Sequence, residues 1–232
     1  MTLLEVQDVH TYYGESHILE GVSLEVSQDE NVALIGRNGV GKTTTLRTIL
    51  QLTPPRRGTV RFKDEEINGL ATHEVARRGI GWIPEDRRIY SQLTVEENIR
   101  VAVKDVGRID EELDYAFDLF PDLRESQSRK AGTLSGGQQQ MLALARGLAG
   151  DNDLLLVDEP SEGLAPMIVE RVADSLRRAS DETTLLLVEQ NFPLAMELTD
   201  KFYLVDQGKV VESGTTEGVS EDDEEIRRYL SA

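Results

Sequence analysis

At 232 residues the chain is long enough to bury a sizeable core and too short for two full domains. Cysteine is absent and the three histidines (His10, His17, His73) are scattered, which leaves no disulfide, thiolate chemistry or usual zinc site; any metal must be held by oxygen. Asp and Glu number 43 against 25 Lys and Arg, a net charge of -18 that argues against a general nucleic-acid or anionic-lipid binder and fits either a soluble acidic protein or a surface adapted to high salt.

In chain order, the opening MTLLEVQDVH has no basic segment ahead of an apolar run, so no signal peptide is expected. No apolar stretch approaches the ~20 residues of a spanning helix, and the protein is expected to stay in the cytosol unless something anchors it. LLEVQDV and then Val22, Leu24 and Val26 alternate as half-buried antiparallel strands do, and TVRF at 59–62 continues the style. VALIG (32–36), LLLVD (154–158) and TLLLV (184–188) are instead continuously apolar, as strands of a covered parallel sheet are. Helical spacing appears at Leu46, Ile49 and Leu50 and again at Met141, Ala145 and Leu148. The stretch 87–150 lacks strand signals, carries a capping box at Thr94 and Glu97, and reads as a helical lobe inserted in the core. FYLVDQGKVVESG (202–214) reads as a hairpin turning at Asp206 to Gly208, and the acidic run 221–225 as a helix start.

Gly36-Arg37-Asn38-Gly39-Val40-Gly41-Lys42-Thr43 fits G-x-x-x-x-G-K-[ST] between a predicted strand and a predicted helix. Its backbone N–H groups, with those of the helix start at Thr44, are expected to cradle phosphates. Lys42 supplies a point charge to the β and γ phosphates, and the Thr43 hydroxyl is an expected Mg²⁺ ligand. Asp158 ends an apolar run and so emerges at the C-terminal edge of a parallel strand, where it can join the Mg²⁺ shell. Glu159 follows, placed to orient and polarise a water for attack on the γ phosphate. Far downstream, LSGGQQQ (134–140) presents a Ser and a Gly pair at a helix start, a second candidate anion site.

These residues together resemble the nucleotide-binding subunit of ATP-binding cassette (ABC) transporters over nearly the whole chain. The resemblance implies an α/β fold: a P-loop (RecA-like) core with a mixed sheet, an N-terminal antiparallel β subdomain, and an inserted α-helical subdomain at 87–150 within a single domain of residues 1–232. It implies ATP and Mg²⁺ as cofactors. It also implies that Ser135, Gly136, Gly137 and Gln138 contact the nucleotide held by the P-loop of an opposite subunit, and that Tyr13, or its neighbour Tyr12, stacks on adenine. Arg146, in the helix after the signature, is expected to support local packing or charge pairing rather than catalysis.

Three positions depart from the common family pattern. Glu85 stands where most relatives have a Gln that meets Mg²⁺ and the attacking water. Gln190 stands at the switch His, where an amide can donate to the γ phosphate without carrying a proton, and Ala165 replaces an Asp that communicates across the dimer. With PEDRR, LTVEEN, SEGLAP and LVEQN, the chain resembles the ATPase subunits of branched-chain amino acid importers, with urea and short-amide importers closely similar and a non-transport regulatory role as a further alternative. The implied partners are two transmembrane permease subunits, a second related ATPase or a copy of itself, and indirectly a solute-binding protein. The implied place is the cytoplasmic face of the membrane, with no spanning segment of the chain's own.

Overall fold

The structure is a computed structural model describing residues 1–230 apart from the Glu225 side chain; Ser231 and Ala232 of the expected domain, and that side chain in the acidic run, lie outside it. Strands β1 (Thr2–Tyr13) and β2 (Ser16–Ser27) pair antiparallel, and with β4 (Arg57–Phe62) and β5 (Glu65–Glu66) they form a sheet of order β2-β1-β4-β5. Leu4, Val6, Val22, Leu24 and Val26 are buried while Ser23 and Glu25 are exposed, as one wet face requires.

The second sheet has the order β10-β9-β3-β8-β7-β6. Its parallel members are β3 (Val32–Ile35), β6 (Ile80–Ile83), β7 (Leu154–Asp158), β8 (Thr184–Glu189) and β9 (Lys201–Asp206); β10 (Lys209–Thr215) is an antiparallel edge. Every residue of β3, β7 and β8 is buried, which is why those three read as unbroken apolar runs. Strand β6 is harder to see in sequence, because its four residues include the half-buried Gly81 and Trp82. Strands β9 and β10 turn through Gln207 and Gly208, both at positive φ (45° and 75°), as a tight hairpin turn demands.

One core lies between the two sheets and takes in Leu46 and Ile49 of α1 (Lys42–Ile49). Each of these buried side chains is worth about 2–3 kcal/mol of apolar burial. Tyr203 of β9 links the sheets: its hydroxyl accepts from the Glu25 N–H at 3.0 Å. A second core joins β7 and β8 to α7 (Pro166–Ala179) and to α3 (Val95–Arg100), α4 (Ile109–Leu119), α5 (Pro121–Arg124) and α6 (Gly136–Leu148), all within 87–150. The Thr94 hydroxyl accepts from Glu97 N–H at 3.1 Å and the Glu97 carboxylate from Thr94 N–H at 2.7 Å, the reciprocal cap that starts α3. Helices α2 (Thr72–Arg77), α8 (Phe192–Leu198) and α9 (Glu224–Leu230) complete the α-helices among the described residues; the acidic run leads into α9.

The histidines are less scattered than their sequence positions suggest. Pairing of β1 with β2 brings His10 Nδ1 to 3.1 Å from His17 Nε2, because a hairpin makes neighbours of residues seven apart. Among the described residues, however, no group of three or more His, Cys, Asp or Glu is arranged to hold a metal ion.

Candidate active site

The parallel strands β3, β8, β7 and β6 deliver the chemistry at their C-terminal ends, where ligands of such sheets bind. After β3 the chain forms the P-loop and enters α1 through Gly41, whose φ of 115° and close approach to Leu19 (2.8 Å from an added Cβ) exclude a side chain. A cavity of about 310 Å³ follows, lined by Asn38, Gly39, Gly41, Lys42, Thr43, Thr44, Glu85 and Glu159, with Ile18 and Glu162. The loop is braced from below by the β9–β10 turn: Gly208 N–H donates to the Val40 carbonyl at 2.9 Å, and the Gly208 carbonyl accepts from Glu20 N–H at 2.8 Å.

Lys42 is 3 % exposed and folds back into the loop. Its ammonium donates to the Gly36 carbonyl at 2.7 Å and the Arg37 carbonyl at 3.0 Å, and pairs with Glu159 Oε1 at 3.0 Å. Three acceptors thus hold the charge that a phosphate would otherwise hold. Glu159 itself has a left-handed backbone (φ 45°), which costs a non-glycine residue about 1–2 kcal/mol, and its N–H donates to the Val188 carbonyl at 2.9 Å.

Asp158, 1 % exposed at the end of β7, accepts through Oδ1 from the Thr43 hydroxyl at 3.1 Å, while its Oδ2 is buried without a hydrogen-bond partner. Burial pushes its carboxyl up to about 7, with the charges of Glu159 and Glu85 adding and Thr43 and Lys42 opposing. An orphaned buried oxygen beside a hydroxyl suits a hard cation such as Mg²⁺, which takes one or two protein oxygens and leaves the rest of its shell to phosphate and water. Glu85 lines the same cavity beyond β6, and the neighbouring Glu162 raises its carboxyl above the usual range, aided by burial and by Glu159.

The remaining sequence-predicted residues do not line this cavity. Ser135 caps α6: its hydroxyl accepts from Gln138 N–H at 3.3 Å, and the Gln138 side chain accepts from Ser135 N–H at 3.1 Å. Ser135 and Gly136 are exposed and Gly137 half-buried, so the helix start faces solvent. Gln190 is exposed one residue beyond β8. Tyr12 is stacked on His17 at 4.1 Å and covered by Arg56 at 4.3 Å, whereas Tyr13 is 42 % exposed with Arg47 at 5.9 Å from its ring centre. Arg146 donates to the carbonyls of Arg87 (3.1 Å) and Arg88 (2.6 Å), two consecutive left-handed residues (φ 60° and 44°), and so fixes the turn after Glu85.

Three contributors escape sequence reasoning. Glu162 reaches the cavity only because the chain bends back after Glu159. Glu189 is a buried carboxylate at the end of β8, and only its place after TLLLV hints at it. The clamp of Arg146 on residues 87 and 88 spans 59 and 58 positions and has no local signal.

A P-loop after a parallel strand, with an Asp on a strand two places away and a Glu beside it, defines a nucleoside-triphosphate hydrolase. The profile of the ABC transporter family matches residues 19–162. The high-affinity branched-chain amino acid transport ATP-binding protein BraG of Pseudomonas aeruginosa is 41% identical over 212 residues, covering 90% of this chain and 91% of its own. The probable branched-chain amino acid transport ATP-binding protein LivF of Archaeoglobus fulgidus is 37% identical over 217 residues, 92% of each. The lipopolysaccharide export system ATP-binding protein LptB of Escherichia coli is 30% identical over 240 residues, 99% of this chain and 98% of its own. Among solved structures, an ATP-binding subunit of an ABC transporter aligns with a TM-score of 0.85 at 28% identity over 99% of this chain and 100% of that one. A dimeric bacterial ABC transporter cassette aligns at 0.82 and 25% identity over 94% and 100%. The chain belongs to the ABC transporter family of ATP-binding proteins, and its activity is ATP hydrolysis. Among the described residues no helix is long and apolar enough to cross a membrane.

Proposed function

We propose that the chain is the ATP-hydrolysing subunit of an importer for branched-chain, hydrophobic amino acids, docked at the cytoplasmic face of the membrane on two permease subunits. The observation that carries this reading is the identity of 41% and 37% to two branched-chain amino acid transport ATPases over nine-tenths of the chain, against 30% to the lipopolysaccharide export ATPase. The cassette works as a dimer, with a copy of itself or a related ATPase; the dimeric cassette among its structural neighbours supports this.

In this mechanism ATP lays its phosphates along the P-loop and gives Lys42 a stronger anion than the carbonyls and carboxylate it now holds. Release of Glu159 from Lys42 frees that carboxylate to orient the attacking water. Thr43 and Asp158, with Glu85 lining the same cavity, would hold Mg²⁺, which when bound would supply positive charge against the phosphates. Tyr13 stacks on adenine, and its exposure beside the covered Tyr12 supports that choice. Ser135 and the N–H groups of Gly136 and Gly137 complete the partner's site, Gln138 holds their helix start, and Gln190 donates to the γ phosphate.

The test is vesicle uptake with the chain co-expressed with its permeases and solute-binding protein. Leucine, isoleucine or valine should accumulate with ATP and stimulate its hydrolysis. Stimulation by urea or a short amide instead, or extraction of a glycolipid from the membrane, would replace the proposed cargo or reverse the direction.

A further inference from the structure

The end of β8 holds a carboxylate that the steps above do not use. Glu189 is 1 % exposed, and its two oxygens take hydrogen bonds from two different loops. One accepts from Ser161 N–H at 3.1 Å, and the other accepts from Gln190 N–H and Asn191 N–H, each at 3.1 Å. Ser161 lies two residues past Glu159. Gln190 and Asn191 form the step into α8, where the Asn191 side chain caps the helix by accepting from Leu194 N–H at 3.3 Å.

A charge buried beside Glu159 is expensive, and burial does push the Glu189 carboxyl above its usual range while the Ser161 side chain and the N–H groups of Asn191 and Ser161 oppose the shift. A hydroxyl or an amide would satisfy one loop at lower cost. Only a carboxylate accepts on both oxygens and presents no donor, so the requirement met here is a simultaneous grip on two loops. The grip also bears on the strained backbone of Glu159. Strand β8 holds that loop at two adjacent points, with the Val188 carbonyl accepting from Glu159 N–H at 2.9 Å and Glu189 accepting from Ser161 N–H. The left-handed turn is therefore over-determined from one strand.

We propose that Glu189 is a positioning residue for ATP hydrolysis, joining the loop that carries Glu159 to the loop that carries Gln190 so that the two move together. The proposal rests on the reading of Glu159 as the residue that orients water.

The experiment uses the full chain. Glu189→Gln keeps the shape but points an amide N–H at a backbone N–H, so one of the two links breaks. The turnover number should fall about 10- to 100-fold, as for a small misplacement of a reacting group, with the KM for ATP within about threefold and the melting temperature close to the parent's. Glu189→Asp, which keeps both acceptors on a shorter arm, should recover part of that loss. By hydrogen exchange, the Ser161 amide or the Gln190 and Asn191 amides should exchange faster in the Gln variant. In the parent, a non-hydrolysable ATP analogue with Mg²⁺ should change the protection of all three together.

A folded Gln variant with parental turnover would overturn the proposal. So would turnover, ATP affinity and melting temperature falling together with Asp no better than Gln, which marks a purely structural residue. If the Gln variant does not fold, an analogue that changes protection of one loop without the other in the parent overturns it. Glu159→Gln, run alongside, separates the two readings: parental hydrolysis there removes the role of Glu159, while the exchange data still decide whether Glu189 links the loops.

Discussion

The P-loop and the signature segment both sit at a helix start and are both proposed to meet phosphate, but they differ in charge and burial. At the P-loop, Lys42, Asp158 and Glu159 are almost wholly buried; Lys42 is held by Glu159 and two backbone carbonyls, and Asp158 by the Thr43 hydroxyl. At the signature, Ser135 and Gly136 are exposed at the start of α6, and the polar groups there serve a helix cap. The first region carries groups that are expensive to bury as charges, of which Lys42 and Glu159 are already paired while Asp158 keeps one oxygen without a partner. The second offers a neutral helix terminus, whose partial positive charge needs no counter-ion and tolerates solvent until an anion arrives. A charged half held ready and a neutral half left open suit the proposed site shared between two subunits.

The sharpest test of that contrast removes the charge. Lys42→Ala should lower turnover by a factor on the order of 10² to 10³ and weaken ATP binding with it, since the ammonium meets phosphate in both ground and transition states. It also leaves Glu159 buried without its partner, at about 3–5 kcal/mol, so the melting temperature should drop in the absence of nucleotide. Glu159→Gln should suppress turnover by a comparable factor while ATP affinity is kept, because the amide holds the shape and loses the charge that activates water. Parental hydrolysis by this variant would remove Glu159 from its role.

On the other side of the comparison, Ser135→Arg should reduce hydrolysis about tenfold or more with little change in labelling of its own P-loop by a photoreactive ATP analogue. In a complex with a distinct ATPase, the loss should fall on the partner's site. Loss confined to the site containing Lys42 would show that the signature works within its own chain. The smallest effect belongs to the base: Tyr13→Ala should weaken ATP binding by about 1–2 kcal/mol and Tyr12→Ala by less. The reverse order would assign adenine to Tyr12.

Legibility followed the range of the interactions. Lys42 and Thr43 stand in a motif of fixed spacing, Asp158 closes an apolar run, and the caps of α3 and α6 join residues three apart, so local pattern exposes them even though Thr43 and Asp158 meet only in the fold. The unbroken apolar runs of β3, β7 and β8 likewise announce a sheet covered on both faces. Glu189 acquires its surroundings only when β7 and β8 lie side by side, and Glu162 meets Glu85 only when β6 and β7 do; in a chain with 43 acidic residues no single Glu stands out. His10 and His17 failed in the other direction: read as scattered, they are brought together by strand pairing. Tyr12 and Tyr13 were inseparable in sequence, because alternation along a strand tells their faces apart but not which face is covered by His17 and Arg56.

The hairpin turn beneath the P-loop makes synthesis of this protein strongly vectorial. Val40 receives its hydrogen bond from Gly208, and β3 is flanked by β8 and β9, all made long after the loop itself. At ribosomal rates of about 5–20 residues per second, the interval is on the order of ten seconds. Through that interval the nascent chain carries the whole glycine loop with neither its floor nor its flanking strands. A nucleotide pocket of native shape can form only once the chain through Gly208 has left the ribosome.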